Sequence, residues 1–277
     1  MFDTETIYEV VVFSIGDTKA GSKMGKLQLK APDETLLNCI LWEESLNRMD
    51  EKLFRTGNKL RIVSGSFNER YNNCLVSALE LIKEARLGLE DSEQEHVFNI
   101  IISYVEKFED KDLKEFLLNI LNEHKSLIKV TPAAKLMHHN YVGGLLVHIM
   151  ECIDFAEKLF DDLINIKITK EELIAACILH DIGKIFEYII NTETGLIEYN
   201  EEFRKDWLTH SQYGFTICMN HGFKKIAKMI AAHHSRADWG AMLDLNEKNL
   251  DSYVYILHHI DDLSAKFGQI NISLLDK

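Results

Sequence analysis

Residues 177–188 read CILHDIGKIFEY, which sets a histidine and an aspartate, His180 and Asp181, at the end of an apolar run. Imidazole and carboxylate side by side can ligate a divalent cation or move protons. The same two residue types interrupt other apolar patterns. His148 lies on the stripe Tyr141, Leu145, Cys152; Ile226, Met229 and Ile230 lead to His233, with His234 one step round; Asp261 continues Val254 and Leu257; His210 stands in WLTHSQYGF. A lone histidine on an apolar face is ordinarily a satisfied core residue, and a lone inward aspartate a cap or ion-pair partner. Seven such groups in five segments would crowd an all-helical core with polar atoms, which natural cores avoid. Joint ligation of metal accounts for all seven at once. With no thiolate in the set, Mn, Fe, Zn, Co or Ni would suit it.

The elements that must position these groups carry their own signals. Thr169 and Glu172 form a capping box, residues 173–179 are apolar on every face, and Gly183 predicts a C-terminal stop. An ionised Asp181 at the end of so buried a helix would cost several kcal/mol without a compensating cation. Ser92 with Glu95 predicts a second capping box, opening a helix to about residue 108, and another helix follows over 110–124. Pro132 marks a break before a helical block that runs to Gly268, with a loop-rich stretch near 191–205. Before residue 85 the period is two. IYEVVVFSI, GKLQLKA, TLLNCILW, NKLRIVSG and NNCLVSALEL predict five strands, with a helical segment at 43–54 between the third and fourth. That order fits an all-β barrel of the OB-fold type, one end plugged by the helix. An SH3-like barrel is the alternative, and the inserted helix argues against it. The predicted organisation is an OB-fold-like domain over 1–88, a helical connector over 89–128 and an all-α bundle over 129–277.

The chain has 277 residues, 46% of them apolar, enough for two cores. Its formal charge is −13, and most of it lies late. Residues 1–90 carry 12 Lys and Arg against 14 Asp and Glu, out of totals of 31 and 44, so the remainder carries 19 against 30. Such a balance disfavours tight, nonspecific duplex binding, while bound cations could still serve a nucleic-acid substrate. Five cysteines stand singly without C-x-x-C spacing, which predicts buried thiols in a reducing cytoplasm. No signal peptide or membrane span is expected.

Taken in order, His148, His180-Asp181 and Asp261 resemble the H...HD...D pattern of the HD superfamily of metal-dependent phosphohydrolases. His210 and the pair His233-His234 look like the extra ligands of its two-metal branch. AAKLMHHNYVGGLLVHI, AACILHDIGKI and ILHHIDDLSAKF are similar to stretches of the YhaM-type 3′-to-5′ exoribonucleases, which place an oligonucleotide-binding barrel ahead of the HD domain. The chain departs from that pattern at Ser264-Ala265-Lys266, where the family tends to have Asp-Ala-Lys, at Thr209-His210, where it tends to have Gly-His, and after His234.

The resemblance implies two divalent ions, Mn first and Fe, Zn, Co, Ni or Mg as alternatives. One would be held by His148, His180, Asp181 and Asp261, the other by Asp181, His210, His233 and His234. It also implies release of nucleoside 5′-monophosphates from the 3′ end of single-stranded RNA, with DNA as a second substrate. Asp181 is the natural bridge for the chemistry; Lys184 could reach a nonbridging phosphate oxygen, against the plainer reading of an exposed helix-end lysine, and His139 and His138 are candidates for phosphate contact or leaving-group protonation, against that of surface histidines. On the barrel, Lys19, Lys23 and Lys26 are candidates for phosphate contacts and Trp42, Phe67 and Tyr71 for base stacking, against the plainer reading of solvated loop charge and core packing. Two other functions fit the same residues: a phosphohydrolase of small nucleotides, and a noncatalytic nucleic-acid-binding regulatory protein.

Overall fold

The computed structural model describes residues 3–18, 20–135, 139–192, 195–206 and 209–267. Lys19, His138 and Gly268 lie outside the described residues. The chain divides after Arg86 into two compact units.

The first unit is a closed five-stranded barrel of β1 (Ile7–Asp17), β2 (Lys23–Lys30), β3 (Leu36–Trp42), β4 (Lys59–Asn68) and β5 (Asn73–Lys83). The strands run round the barrel in the order β1-β2-β3-β5-β4. β3 and β5 pair in parallel and the other neighbours antiparallel, with β4 closing on β1 through Ile7 to Glu9. Alternation along each strand turns Tyr8, Val10, Leu27, Leu29, Cys39, Leu41, Leu60, Ile62, Cys74 and Val76 inward. The topology is consistent with an OB-like barrel.

The helix expected over 43–54 is broken in two. α1 (Glu43–Leu46) ends early, and Asp50 then caps a 3₁₀ turn, Glu51–Phe54, by accepting from the Lys52 N–H at 2.9 Å. That turn drops Phe54 into the core against Phe13, ring centroids 4.1 Å apart. Asn58, buried beside it, donates to the carbonyls of Lys52 and Leu53 and accepts from the Ala85 N–H, so its amide fastens the plug.

The second unit is helical. α2 (Asp91–Glu106), α3 (Lys111–Glu123) and α4 (Lys125–Val130) precede α5 (Gly144–Phe160) and α6 (Lys170–Leu179). α7 (Lys184–Glu187), a small hairpin of β6 (Tyr188–Ile190) and β7 (Ile197–Tyr199), and α8 (Glu201–Lys205) follow. The hairpin and α8 occupy the stretch expected to be mostly loop. α9 (His210–Asn220), α10 (Lys224–Ala232) and α11 (Ile256–Phe267) complete the described α-helices, with two short 3₁₀ turns between the last two.

Residues 91–123 do more than connect. Val97, Phe98, Ile101, Val105, Leu113, Leu117 and Leu121 share one apolar cluster with α5, α6, α10 and α11. The first helix starts two residues before the predicted box. Glu90 and Glu93 make the reciprocal cap, because the Glu95 carboxylate is taken by Lys125 at 2.5 Å and Lys129 at 3.1 Å. The Thr169–Glu172 box is present as read.

Candidate metal centre

α6 is buried from Leu173 to its end at Leu179, with His180 as its C-cap and Asp181 in the following turn. Gly183 does not act as a left-handed stop, since its φ is −64°. Its missing side chain serves a close approach instead. A Cβ there would lie 2.5 Å from the Cα and carbonyl oxygen of His210, so glycine lets the start of α9 come up beside Asp181. Thr209 caps α9 in a box with Gln212, which places His210 as the first helical residue. His148 comes from mid-α5, His233 from the C-cap of α10, His234 from the next residue, and Asp261 from α11.

These seven residues converge, and they do so in two sets around Asp181. Asp181 Oδ2 lies 3.5 Å from Nε2 of both His148 and His180. Asp261 Oδ1 is 3.2 Å from His148 Nε2 and 3.9 Å from His180 Nε2. The other oxygen, Oδ1, faces His210 Nε2 at 3.5 Å and His233 Nε2 at 3.8 Å. His234 Nε2 completes that side, 3.1 Å from His210 Nε2.

The outer nitrogens decide what faces inward. His180 Nδ1–H donates to the Cys177 carbonyl at 2.9 Å and His233 Nδ1–H to the Ile230 carbonyl at 2.7 Å. His210 Nδ1 is 2.5 Å from the Glu187 carboxylate. His148 Nδ1 is 2.9 Å from Ser264 Oγ, whose own proton goes to Glu151 at 2.7 Å. Each of these four rings therefore turns an unprotonated Nε2 inward. On the first side, two lone-pair nitrogens 3.1 Å apart meet a carboxylate oxygen, an acceptor-only arrangement that a cation would satisfy. On the second, Asp181 Oδ1 and His233 Nε2 are buried with no hydrogen-bond partner. A donor set of imidazoles and carboxylates with orphaned inward atoms fits divalent metal.

Electrostatics point the same way. Burial opposes the ionised form of Asp181, but Lys184 and then His180, His210 and His148 overrule it and hold the carboxyl well below the usual range. For Asp261, burial opposes ionisation but is again outweighed, by the nearby His148 and then His180, so its carboxyl also lies below the usual range. Burial lowers His180 and His233, and it pushes His234 down to about 4, with His210 adding to the effect. Ionised carboxylates and neutral imidazoles are the forms that bind metal. Cys152 Sγ lies 3.9 Å from His148 Nε2, but burial raises its thiol far above the ordinary value and keeps it protonated.

The remaining candidates separate. Lys184 is largely buried and ion-paired with Asp181 Oδ2, so it is no solvated helix-end lysine. His139 has both ring nitrogens engaged, with Tyr141 Oη and Glu151 Oε2, each at 2.9 Å. In the barrel unit, Trp42 and Tyr71 are exposed, and Phe67 is half-buried opposite Cys74 in the β4–β5 ladder. Lys26 is exposed, and Lys23 pairs with Asp17 at 2.7 Å.

Sequence reading did not single out Glu151 or Glu187, and it noted Ser264 only as a departure. Glu151 and Ser264 each stand three residues after a convergent residue, His148 and Asp261, and that i+3 spacing on one helix face was a usable signal. Glu187 offered none, because it lies on α7, a separate helix from those that carry the convergent residues.

Residues 84–186 match a family model described as a putative helicase, although the chain contains no G-x-x-x-x-G-K-[ST] loop. No solved structure matches the chain. Residues 145–266 match the family model of the HD domain, and all seven convergent residues lie inside that segment. The match and the acceptor-lined centre together support a metal-dependent phosphohydrolase.

Proposed function

We propose that this protein is a metal-dependent 3′-to-5′ exoribonuclease that shortens single-stranded RNA, with DNA as a second substrate. The observation that carries the phosphohydrolase part is the division of Asp181, one oxygen toward His148, His180 and Asp261 and the other toward His210, His233 and His234. These residues would hold two divalent ions, manganese first, which when bound supply Lewis-acid stabilisation of charge on a phosphoryl group. Asp181 stays ionised through Lys184, burial keeps His180, His233 and His234 neutral, and the Nδ1 partners keep the rings aimed. Lys184 Nζ, close to the Asp181 oxygen, would meet a nonbridging phosphate oxygen by swinging off it.

Hydrolysis would break the bond between phosphorus and the 3′ oxygen of the penultimate nucleotide, leaving the phosphate on the released nucleoside. The choice of a polymer over a mononucleotide rests on the OB-like barrel and on the family resemblance. Exposed Trp42 and Tyr71, with Lys26, give that barrel groups that would stack bases and meet phosphates. The test uses single strands labelled at the 5′ or the 3′ end and incubated with Mn²⁺. A 5′-labelled strand should shorten stepwise while a 3′-labelled strand yields labelled mononucleotide at once. No cleavage by protein shown to hold metal, or faster hydrolysis of mononucleotides than of oligomers, would overturn the assignment.

A further inference from the structure

Glu151 is a carboxylate with 1% of its side chain exposed, placed by α5 one turn beyond His148. A single oxygen, Oε2, accepts from Ser264 Oγ at 2.7 Å and lies 2.9 Å from His139 Nε2. Ser264 Oγ in turn is 2.9 Å from His148 Nδ1. The far end is also tied, because His139 Nδ1 meets the Tyr141 hydroxyl. The backbone of His139 is held in the left-handed region, at φ 54°, and a Cβ on Gly144 would lie 2.0 Å from its carbonyl oxygen. The chain Tyr141–His139–Glu151–Ser264–His148 thus runs from the entry of α5 to the inward ring, across 116 residues at its last link.

We propose that Glu151 is a positioning residue for the metal centre: through Ser264 it fixes the Nδ1 proton and the ring plane of His148, and His139 serves as its clamp rather than as an acid in the chemistry. The proposal rests on the reading of His148 as a metal-binding residue. A serine at 264 cannot present a carboxylate to His148 itself, so it passes on the one from α5. Outer partners of ligating histidines commonly set metal affinity by 10- to 100-fold.

The test is Co²⁺ titration of the full-length metal-free protein, followed by visible absorption and calorimetry. Ser264→Ala should weaken one of two binding events by roughly 10- to 100-fold while leaving the other within about threefold. Glu151→Gln, which keeps an acceptor oxygen but removes the charge, should weaken the same event less. The double variant Glu151→Gln with Ser264→Asp, which sets a carboxylate directly against His148, should recover most of the affinity. Equal weakening of both events together with a lower metal-free melting temperature would make the role merely structural and overturn the proposal. Unchanged affinity in Ser264→Ala would also overturn it, as would a third bound ion lost in Glu151→Gln, which would make Glu151 a ligand. The readout is metal affinity, so absence of RNA cleavage with normal two-ion binding would count against the nuclease assignment alone.

Discussion

The two units bury polar groups in opposite ways. Among the described residues, the barrel's one buried polar or charged residue is Asn58, every bond of whose amide ends on backbone, and its one further unmatched buried atom is Oδ1 of half-buried Asn73, alone rather than in a cluster. The helical unit buries His148, Glu151, His180, Asp181, His210, His233 and Ser264 in one connected cluster, with inward atoms left unmatched. All twelve histidines of the chain lie after residue 86. A buried group whose bonds are complete holds the fold, whereas a set of acceptors without donors invites a ligand. The difference assigns chemistry to the helical unit and leaves the barrel its outer surface.

Four experiments can break or sharpen that contrast. Asp181→Ala, which removes the carboxylate common to both sets, should lower kcat/KM by at least ~1000-fold, since metal ions supply several kcal/mol to the transition state and each 1.4 kcal/mol is tenfold. Metal content by mass spectrometry should fall with it; retained activity would sever the centre from the chemistry. Chelation comes next. An ion at 100 times its Kd adds about 2.7 kcal/mol to stability, which for a unit of this size shifts melting by roughly 5–10 °C. Scanning calorimetry should show that shift in the helical transition and leave the barrel transition in place.

The pH dependence of the metal-free protein should divide the units again. The folded-state value of His234 lies near 4, and those of His180 and His233 are also lowered, below the ordinary 6.5. Between those limits the unfolded chain binds protons that the folded chain refuses, so stability falls as pH drops from 6.5 toward 4. Asp181 and Asp261, depressed from 3.8, withdraw their contribution only at still lower pH. Urea unfolding at pH 7 and pH 5 should show a loss in the helical unit and a flat barrel, which has no histidine. The smallest effect is expected from the barrel surface. Trp42→Ala or Tyr71→Ala should raise KM for oligonucleotides about fivefold, the low end of one stacked base, with kcat unchanged. A fall in kcat instead would place these aromatics nearer the chemistry than the contrast allows.

Much of this was legible beforehand for a local reason. Alternation in IYEVVVFSI or GKLQLKA and the 3.6 period of the later segments are properties of consecutive residues, so five strands and the main helices could be read directly. The inward polar residues were visible because each broke its own stripe. Where reading went astray, a distant partner had intervened: Glu95 was drawn to Lys125 and Lys129, and Gly183 was shaped by His210.

By itself the sequence determined the five barrel strands, the main helices of the second unit and which seven polar residues must be accommodated inside. Tertiary structure alone decided that Asp181 turns one oxygen to each histidine set, and that Glu187 and Ser264, the latter backed by Glu151, meet the outer nitrogens of His210 and His148. The reason is physical. Periodicity reports the face a side chain occupies on its own helix, but the atom it meets is set by how helices far apart in the chain pack.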